Sequence, residues 1–182
     1  MRISVSIDDL AFVVADAVAR PVDGQLRAVT PVMRRLELAA GDAFTRQLQL
    51  REPLEAGAAV VTGAGAIRAD LMIHAVVSTQ TIAVSRETVR QATRSALQRA
   101  HDFAVEALAI APFGLGAGNL DVEDVAKTMI DVMLAHGAQK LRPAEVTIVV
   151  EGEGEADSFR AALAHQRGAT ATGAPTSPAG AR

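Results

Sequence analysis

The sequence predicts an α/β protein, specifically a three-layer α/β/α domain around a mixed, partly parallel sheet. The first observation behind this is order. From Leu71 onward short apolar runs alternate with long amphipathic stretches, and connections of that length between strands imply right-handed crossovers and parallel pairing. The second is the character of the runs. Leu71–Val77 and Ala107–Ala111 are nearly continuous in apolar residues, as strands covered on both faces must be. The third is size. The chain has 182 residues, of which 49% are hydrophobic, enough for one domain with a real core.

Taken in order, Arg2–Ile7 sets Ile3, Val5 and Ile7 against Arg2, Ser4 and Ser6, the two-residue period of a half-buried strand. Asp8 and Asp9 end it. Leu10–Ala15 is a second short apolar run rich in valine, read as a buried strand that emerges at Asp16. Ala17–Thr30 holds Pro21 and Asp23-Gly24 and reads as loop. A helix then starts near Thr30, with Pro31 at the favoured first position and Gly41 as its stop. In Phe44–Glu52, Leu48 and Leu50 alternate with polar residues, which suggests a short edge strand.

Ala58–Thr62 reads as a strand that runs into Gly63–Gly65, and Leu71–Val77 as the next strand. A helix follows from Ser85 with Val89, Ala92, Ala96, Ala100 and Phe103 as its apolar stripe and arginines mostly off it. Strand Ala107–Ala111, helix Val122 to about His136, strand Glu145–Val150 and helix Ala156–Gln166 complete the pattern. Residues 1–167 thus form the domain. The last stretch, 168–182, has no large apolar residue to offset its ordering entropy and is expected to be a disordered tail.

The most distinctive stretch is Ala107–Asp121, where a buried strand runs into Gly114, Leu115, Gly116, Ala117, Gly118 and Asn119 before a helix opens at Asp121. Glycines tolerate positive φ, so such a turn can fold its N–H groups inward as an anion-binding nest. The unpaired N–H groups of the following helix add positive character. The spacing matches neither G-x-G-x-x-G nor the P-loop, and a glycine-rich connection with nothing bound is the plain alternative. In parallel sheets ligands sit beyond the carboxyl ends of the strands. That rule groups Gly114–Asn119, Gly63–Gly65 and Asp16–Gly24 on one rim.

Composition excludes several classes. Net charge is −3 and the arginines are scattered, which argues against a duplex-binding surface. Aromatic content is 3% with no Trp or Tyr, which argues against single-strand stacking. With no cysteine there are no disulfides or thiolate chemistry, and no histidine pair has ligand spacing, so neither a metal nor a cofactor is expected. No secretory signal and no membrane-length apolar run is present, so a soluble, cytoplasmic protein is expected, with its oligomeric state left open. His74 alternates with Met72 and Val76 on one strand face and reads as a hydrogen-bonded core residue.

Three segments resemble the macro domain family in register. Pro53–Val77 is similar to a family segment in which a strand, a Gly-rich turn and a second strand ending near a histidine succeed one another. Ala109–Asn119 resembles the family's later glycine loop, and Thr30–Gly41, ending LELAAG, its first helix. The resemblance covers roughly residues 5 to 165, the domain without the tail. It implies binding of ADP-ribose or a related diphosphate-containing nucleotide. Gly114, Leu115, Gly116, Ala117 and Gly118 would fall on the diphosphate loop, Asn119 on a position that packs against ribose, and Asp8 or Asp9 on the acidic residue that receives the adenine amino group.

Two departures qualify the resemblance. The family's Asn-Ala-Ala-Asn signature after the second strand falls at Val13–Asp16, leaving Asp16 for its last asparagine. The Gly-Gly-Gly-Val loop is replaced by Ala28–Val32. Three readings follow: a binding module without hydrolase activity; an ADP-ribosyl or O-acyl-ADP-ribose hydrolase with Asp16 as the catalytic candidate, alone or paired with Asp23; and a structural or partner-binding domain that has lost the ligand.

Overall fold

A computed structural model of the chain describes residues 1–49, 51–116 and 120–172, with side chains to residue 166. The strands are β1 (Arg2–Ile7), β2 (Ala17–Asp23), β3 (Ala59–Gly63), β4 (Leu71–Ser78), β5 (Ala107–Ile110) and β6 (Glu145–Val150). The helices are α1 (Pro31–Ala40), α2 (Asp42–Gln47), α3 (Arg86–Asp102), α4 (Val122–Gly137) and α5 (Glu153–Thr172). They form one sheet in the order β1-β6-β5-β2-β4-β3. Every neighbouring pair is parallel except β3 with β4. This is the mixed α/β/α architecture expected, with Leu71–Val77, Ala107–Ala111 and Glu145–Val150 parallel in one sheet.

The two faces follow from the two-residue period of the strands. Ala17, Ala19, Ile73, Ala75, Leu108, Ile110, Val146 and Ile148 point to one side, where Val89, Ala96, Leu97, Met129 and Phe159 of α3, α4 and α5 cover them. Val18, Met72, Ala109 and Val149 point to the other, against Met33, Leu36 and Phe44 of α1 and α2. Side-chain capping fixes where α1 and α3 begin. The Thr30 hydroxyl accepts from Met33 N at the start of α1, and Ser85 and Thr88 form a reciprocal capping box on α3.

Five local expectations meet a different structure. Leu10–Ala15 is not a strand but the connection from β1 to β2, because Asp9 Oδ1 accepts from Ala11 N at 2.9 Å and the Asp9 carbonyl from Phe12 N, closing a turn at its start. The strand lies in the next segment, Ala17–Asp23, which was read as loop because of Pro21. Proline removes a ladder donor, yet here nothing needs that donor. Ala19 accepts from Ala111 N on the β5 side, so Pro21, two residues on, faces the same side just where β5 has ended.

Phe44–Glu52 opens not as a strand but inside α2, with Phe44 fully buried; the four-residue spacing of Phe44 and Leu48 outweighs the alternation of Leu48 with Leu50. Finally, Gly63–Gly65 is not on the rim with the glycine turn after β5. β3 is antiparallel, so Gly63 pairs with Leu71, the first residue of β4. Helix α5 continues past Gly168 to Thr172, into the segment expected to be tail. The remaining tail, 173–182, lies outside the described residues.

Candidate functional site

The order of the strands produces a crevice. β2 pairs with β5 only over Ala17–Ala19, and beyond that point the two carboxyl ends part. A cleft of about 280 Å³ opens there, near the lower end of small-molecule sites at about 300 Å³. One wall is the first turns of α1, with Thr30, Pro31, Val32, Met33 and Arg35. The floor is the strand ends, with Pro21 of β2, Ala111 and Pro112 after β5, and Val149 and Val150 of β6. Leu115 and Gly116 form the rim on one side, and Asp8, Leu10, Glu151 and Glu155 the other.

The glycine turn has the backbone that its sequence calls for. Gly114 and Gly116 have φ of +99° and +69°, values that L side chains rarely adopt. A Cβ on Gly116 would lie 3.3 Å from Thr30 Cγ2, so the turn abuts the N-cap of α1. Gly114 faces inward instead, where a Cβ would come within 2.9 Å of Val89 Cγ2. Among the described residues no hydrogen bond uses the N–H groups of Gly114, Leu115 and Gly116.

The sequence-based candidates divide. Asp8, Leu115 and Gly116 line the cleft, and Gly114 backs it. Asp8 N donates to the Val150 carbonyl at 3.2 Å, which sets Asp8 beside the end of β6. Asp9 is adjacent, but its carboxylate is spent on the turn at Ala11. Ala117, Gly118 and Asn119 lie outside the described residues. Asp16 is a correction to the rim as drawn from sequence. Its Oδ2 accepts from Glu106 N and Ala107 N, each at 2.9 Å, and its carbonyl accepts from Asp70 N and Leu71 N. It therefore sits where β4 and β5 begin, at the opposite edge of the sheet from the cleft.

Asp16 and Asp23 cannot pair. They stand at opposite ends of β2, and seven residues at about 3.3 Å each separate them by roughly 20 Å. Asp23 has its own work: Oδ1 accepts from Gln25 N and Arg27 N, and Oδ2 takes Arg27 Nε at 2.7 Å.

Sequence reasoning also missed Arg35 and Glu151, which face one another across the cleft mouth at 2.7 Å. Both were within reach of simple rules. Glu151 directly follows β6 at a carboxyl end, and Arg35 is one helical turn beyond Pro31 on the same face.

A crevice at the carboxyl ends of a mostly parallel sheet, rimmed by a positive-φ glycine turn and a helix N-terminus, is the place where open α/β sheets hold their ligands. Comparison gives the family: the macro domain model matches residues 20–129, and the chain belongs to the macro domain family. An uncharacterized protein of Aquifex aeolicus is 30% identical over 135 residues, covering 72% of this chain and 80% of that protein. An uncharacterized protein of Mycobacterium bovis is 28% identical over 148 residues, 81% of this chain but 41% of that protein. The chain thus spans about two fifths of the length of the mycobacterial relatives it matches.

Among solved structures, an Oceanobacillus iheyensis macrodomain mutant with ADPR superposes with a TM-score of 0.82 at 16% identity, covering 90% of this chain and 92% of that one. A Trypanosoma brucei macrodomain in complex with ADP gives 0.80 at 12% identity, covering 89% and 69%. At these identities the likeness is one of fold. Among the described residues no helix is long and apolar enough to cross a membrane.

Proposed function

We propose that this macro domain binds ADP-ribose or a related diphosphate-containing nucleotide in the cleft at the carboxyl ends of β1, β6, β5 and β2, as a binding module that does not hydrolyse it. The observation that carries the reading is the glycine turn. Gly114–Gly116 presents main-chain N–H groups unused by any described residue, and it does so against the N-terminus of α1, where the helix dipole favours an anion. The fold matches of solved macrodomains with ADPR and with ADP support the choice of ligand.

The α1 side contributes less than a glycine-rich loop would. Pro31 has no N–H and Met33 N is taken by Thr30 Oγ1, so Val32 supplies the remaining donor of that turn. Charge-assisted hydrogen bonds contribute about 1.5–3 kcal/mol each. Loss of several places the dissociation constant on the order of 0.1–10 mM, two to four decades above a micromolar site. Hydrolysis is not part of the reading because Asp16, the carboxylate the enzyme reading needs, is bonded to two main-chain N–H groups at the far edge of the sheet.

Titration calorimetry with ADP-ribose, backed by amide NMR shifts, tests this. Saturable binding confined to residues around the cleft is expected, with no release of ADP-ribose from a mono-ADP-ribosylated protein. Gly116→Val should abolish binding while Gly154→Ala, at a site with nothing within 4 Å, leaves it intact. Absence of any shift at 10 mM ligand, a concentration on the order of the weakest affinity expected, would mean the nucleotide reading is wrong.

A further inference from the structure

We propose that Arg35 is the specificity-determining residue of the cleft: its guanidinium leaves Glu151 and lies over the flat face of the ligand's base. The inference rests on the nucleotide reading above and adds to it a contact for the base.

The orientation of the ligand comes from α1. Thr30, at its start, abuts Gly116 of the glycine turn. Arg35 is five residues further along, about 7.5 Å at 1.5 Å per residue. There it meets Glu151 at the end of β6, beside Asp8. The phosphates belong at the glycine turn, since the far end carries Asp8, Glu151 and Glu155, three carboxylates that repel them. The uncharged base belongs at that far end.

The described residues lining this cleft include no aromatic side chain, and Arg35 is their only cation. A base there has aliphatic neighbours and one planar group that can cover it. Guanidinium planes stack on aromatic faces and are weakly hydrated, which lysine is not. The ion pair that now holds Arg35 is cheap to break. Its side chains are 55% and 53% exposed, and exposed pairs contribute little because water screens them. Glu151 therefore competes with the ligand for Arg35 without locking it away.

The test measures ADP by calorimetry and inorganic pyrophosphate by competition against ADP, in the wild type, Arg35→Ala, Arg35→Lys and Glu151→Gln. Arg35→Ala should weaken ADP about tenfold, or about 1.4 kcal/mol, with pyrophosphate changed less than twofold. Arg35→Lys should behave like the alanine variant, because it keeps the charge and loses the plane. Glu151→Gln should tighten ADP severalfold by freeing the guanidinium. Equal losses for ADP and pyrophosphate would overturn the proposal by making Arg35 a phosphate ligand. Full affinity in Arg35→Ala would overturn it by making Arg35 a bystander. If the wild type binds neither probe, the nucleotide reading itself fails and this inference goes with it.

Discussion

Arg20 and His74 stand directly opposite one another in the register of β2 and β4, and Arg20 Nε donates to His74 Nδ1 at 3.0 Å in the buried interior. The acceptor role of Nδ1 places the imidazole proton on Nε2, which donates to Thr62 Oγ1 at 2.9 Å; the threonine hydroxyl passes the chain to the Gly63 carbonyl. Arg20 also donates to Glu37 of α1 at 2.6 Å and to the Leu26 carbonyl at 3.0 Å. The Phe44 ring stacks on His74 at 5.7 Å between centroids, and the Arg20 guanidinium carbon lies 5.4 Å from the Phe44 centroid. A cation is thus buried in full with each of its three nitrogens donating one hydrogen bond, and the neutral imidazole is part of what holds it.

The first prediction concerns pH. Burial, then the nearby Arg20 charge, hold the His74 pKa well below the ordinary histidine value. When the folded pKa is depressed for a base, the unfolded chain binds the proton first, so stability falls as pH drops through the unfolded value near 6.5. Between pH 7.5 and 5.5 this costs at most about 1.4 kcal/mol, one proton's worth over one pH unit. Urea midpoints measured across that range should fall toward acid in the wild type and less steeply in His74→Gln. Parallel slopes would show that His74 protonates as easily folded as unfolded.

The second prediction is that Arg20→Met is among the most damaging single changes in the molecule. It strands the Glu37 carboxylate, the Leu26 carbonyl and His74 Nδ1 together, and breaking a buried pair from one side costs about 3–5 kcal/mol. Adding Glu37→Leu should restore a large part of that loss, because the stranded charge goes with it. Chemical denaturation of the two variants separates this from a plain packing defect, in which the second substitution would add damage.

How much of this was legible follows the strength of the local signals. β1, β4, β5, β6 and the long helices were readable because period, capping residues and length agree within each segment. β2 was not. Its Pro21 and Arg20 are residues that a central strand normally excludes, and both are explained only by neighbours distant in sequence: the end of β5 for Pro21, and Glu37, His74 and Leu26 for Arg20. The site divided along the same line. The glycine turn is local and was found, whereas Arg35 with Glu151 depends on a contact across 116 positions. Misplacing β2 by seven residues also carried Asp16 to the wrong edge of the sheet.

The third prediction separates two glycines that look equivalent in sequence. Gly114→Ala combines a disfavoured φ with a Cβ 2.9 Å from Val89 Cγ2 and 3.1 Å from Val84 Cγ1. Backbone strain and overpacking together cost about 2–4 kcal/mol. Gly116→Ala meets little besides Thr30 Cγ2 at 3.3 Å, so its cost to the fold should be about 1–2 kcal/mol, the strain alone. Thermal melts should therefore rank Gly114→Ala well below Gly116→Ala. The reverse ranking would mean that the rim glycine, not the inner one, is packed against the core.

The last prediction assigns Asp16 to the fold. Its carboxylate holds the first two N–H groups of the β5 entry, Glu106 and Ala107, and its main chain joins β4 to the same corner. Asp16 is solvent-exposed, so water partly replaces the lost acceptor, and Asp16→Ala should cost about 1–2 kcal/mol. For a chain of this size that lowers the melting temperature by roughly 2–8 °C. Affinity for ADP-ribose should stay within twofold of wild type, because the residue and the cleft lie at opposite ends of β2. A catalytic carboxylate would give the opposite pattern, an unchanged melt with lost turnover, and measuring both in one variant decides between an anchor of β5 and an active-site acid.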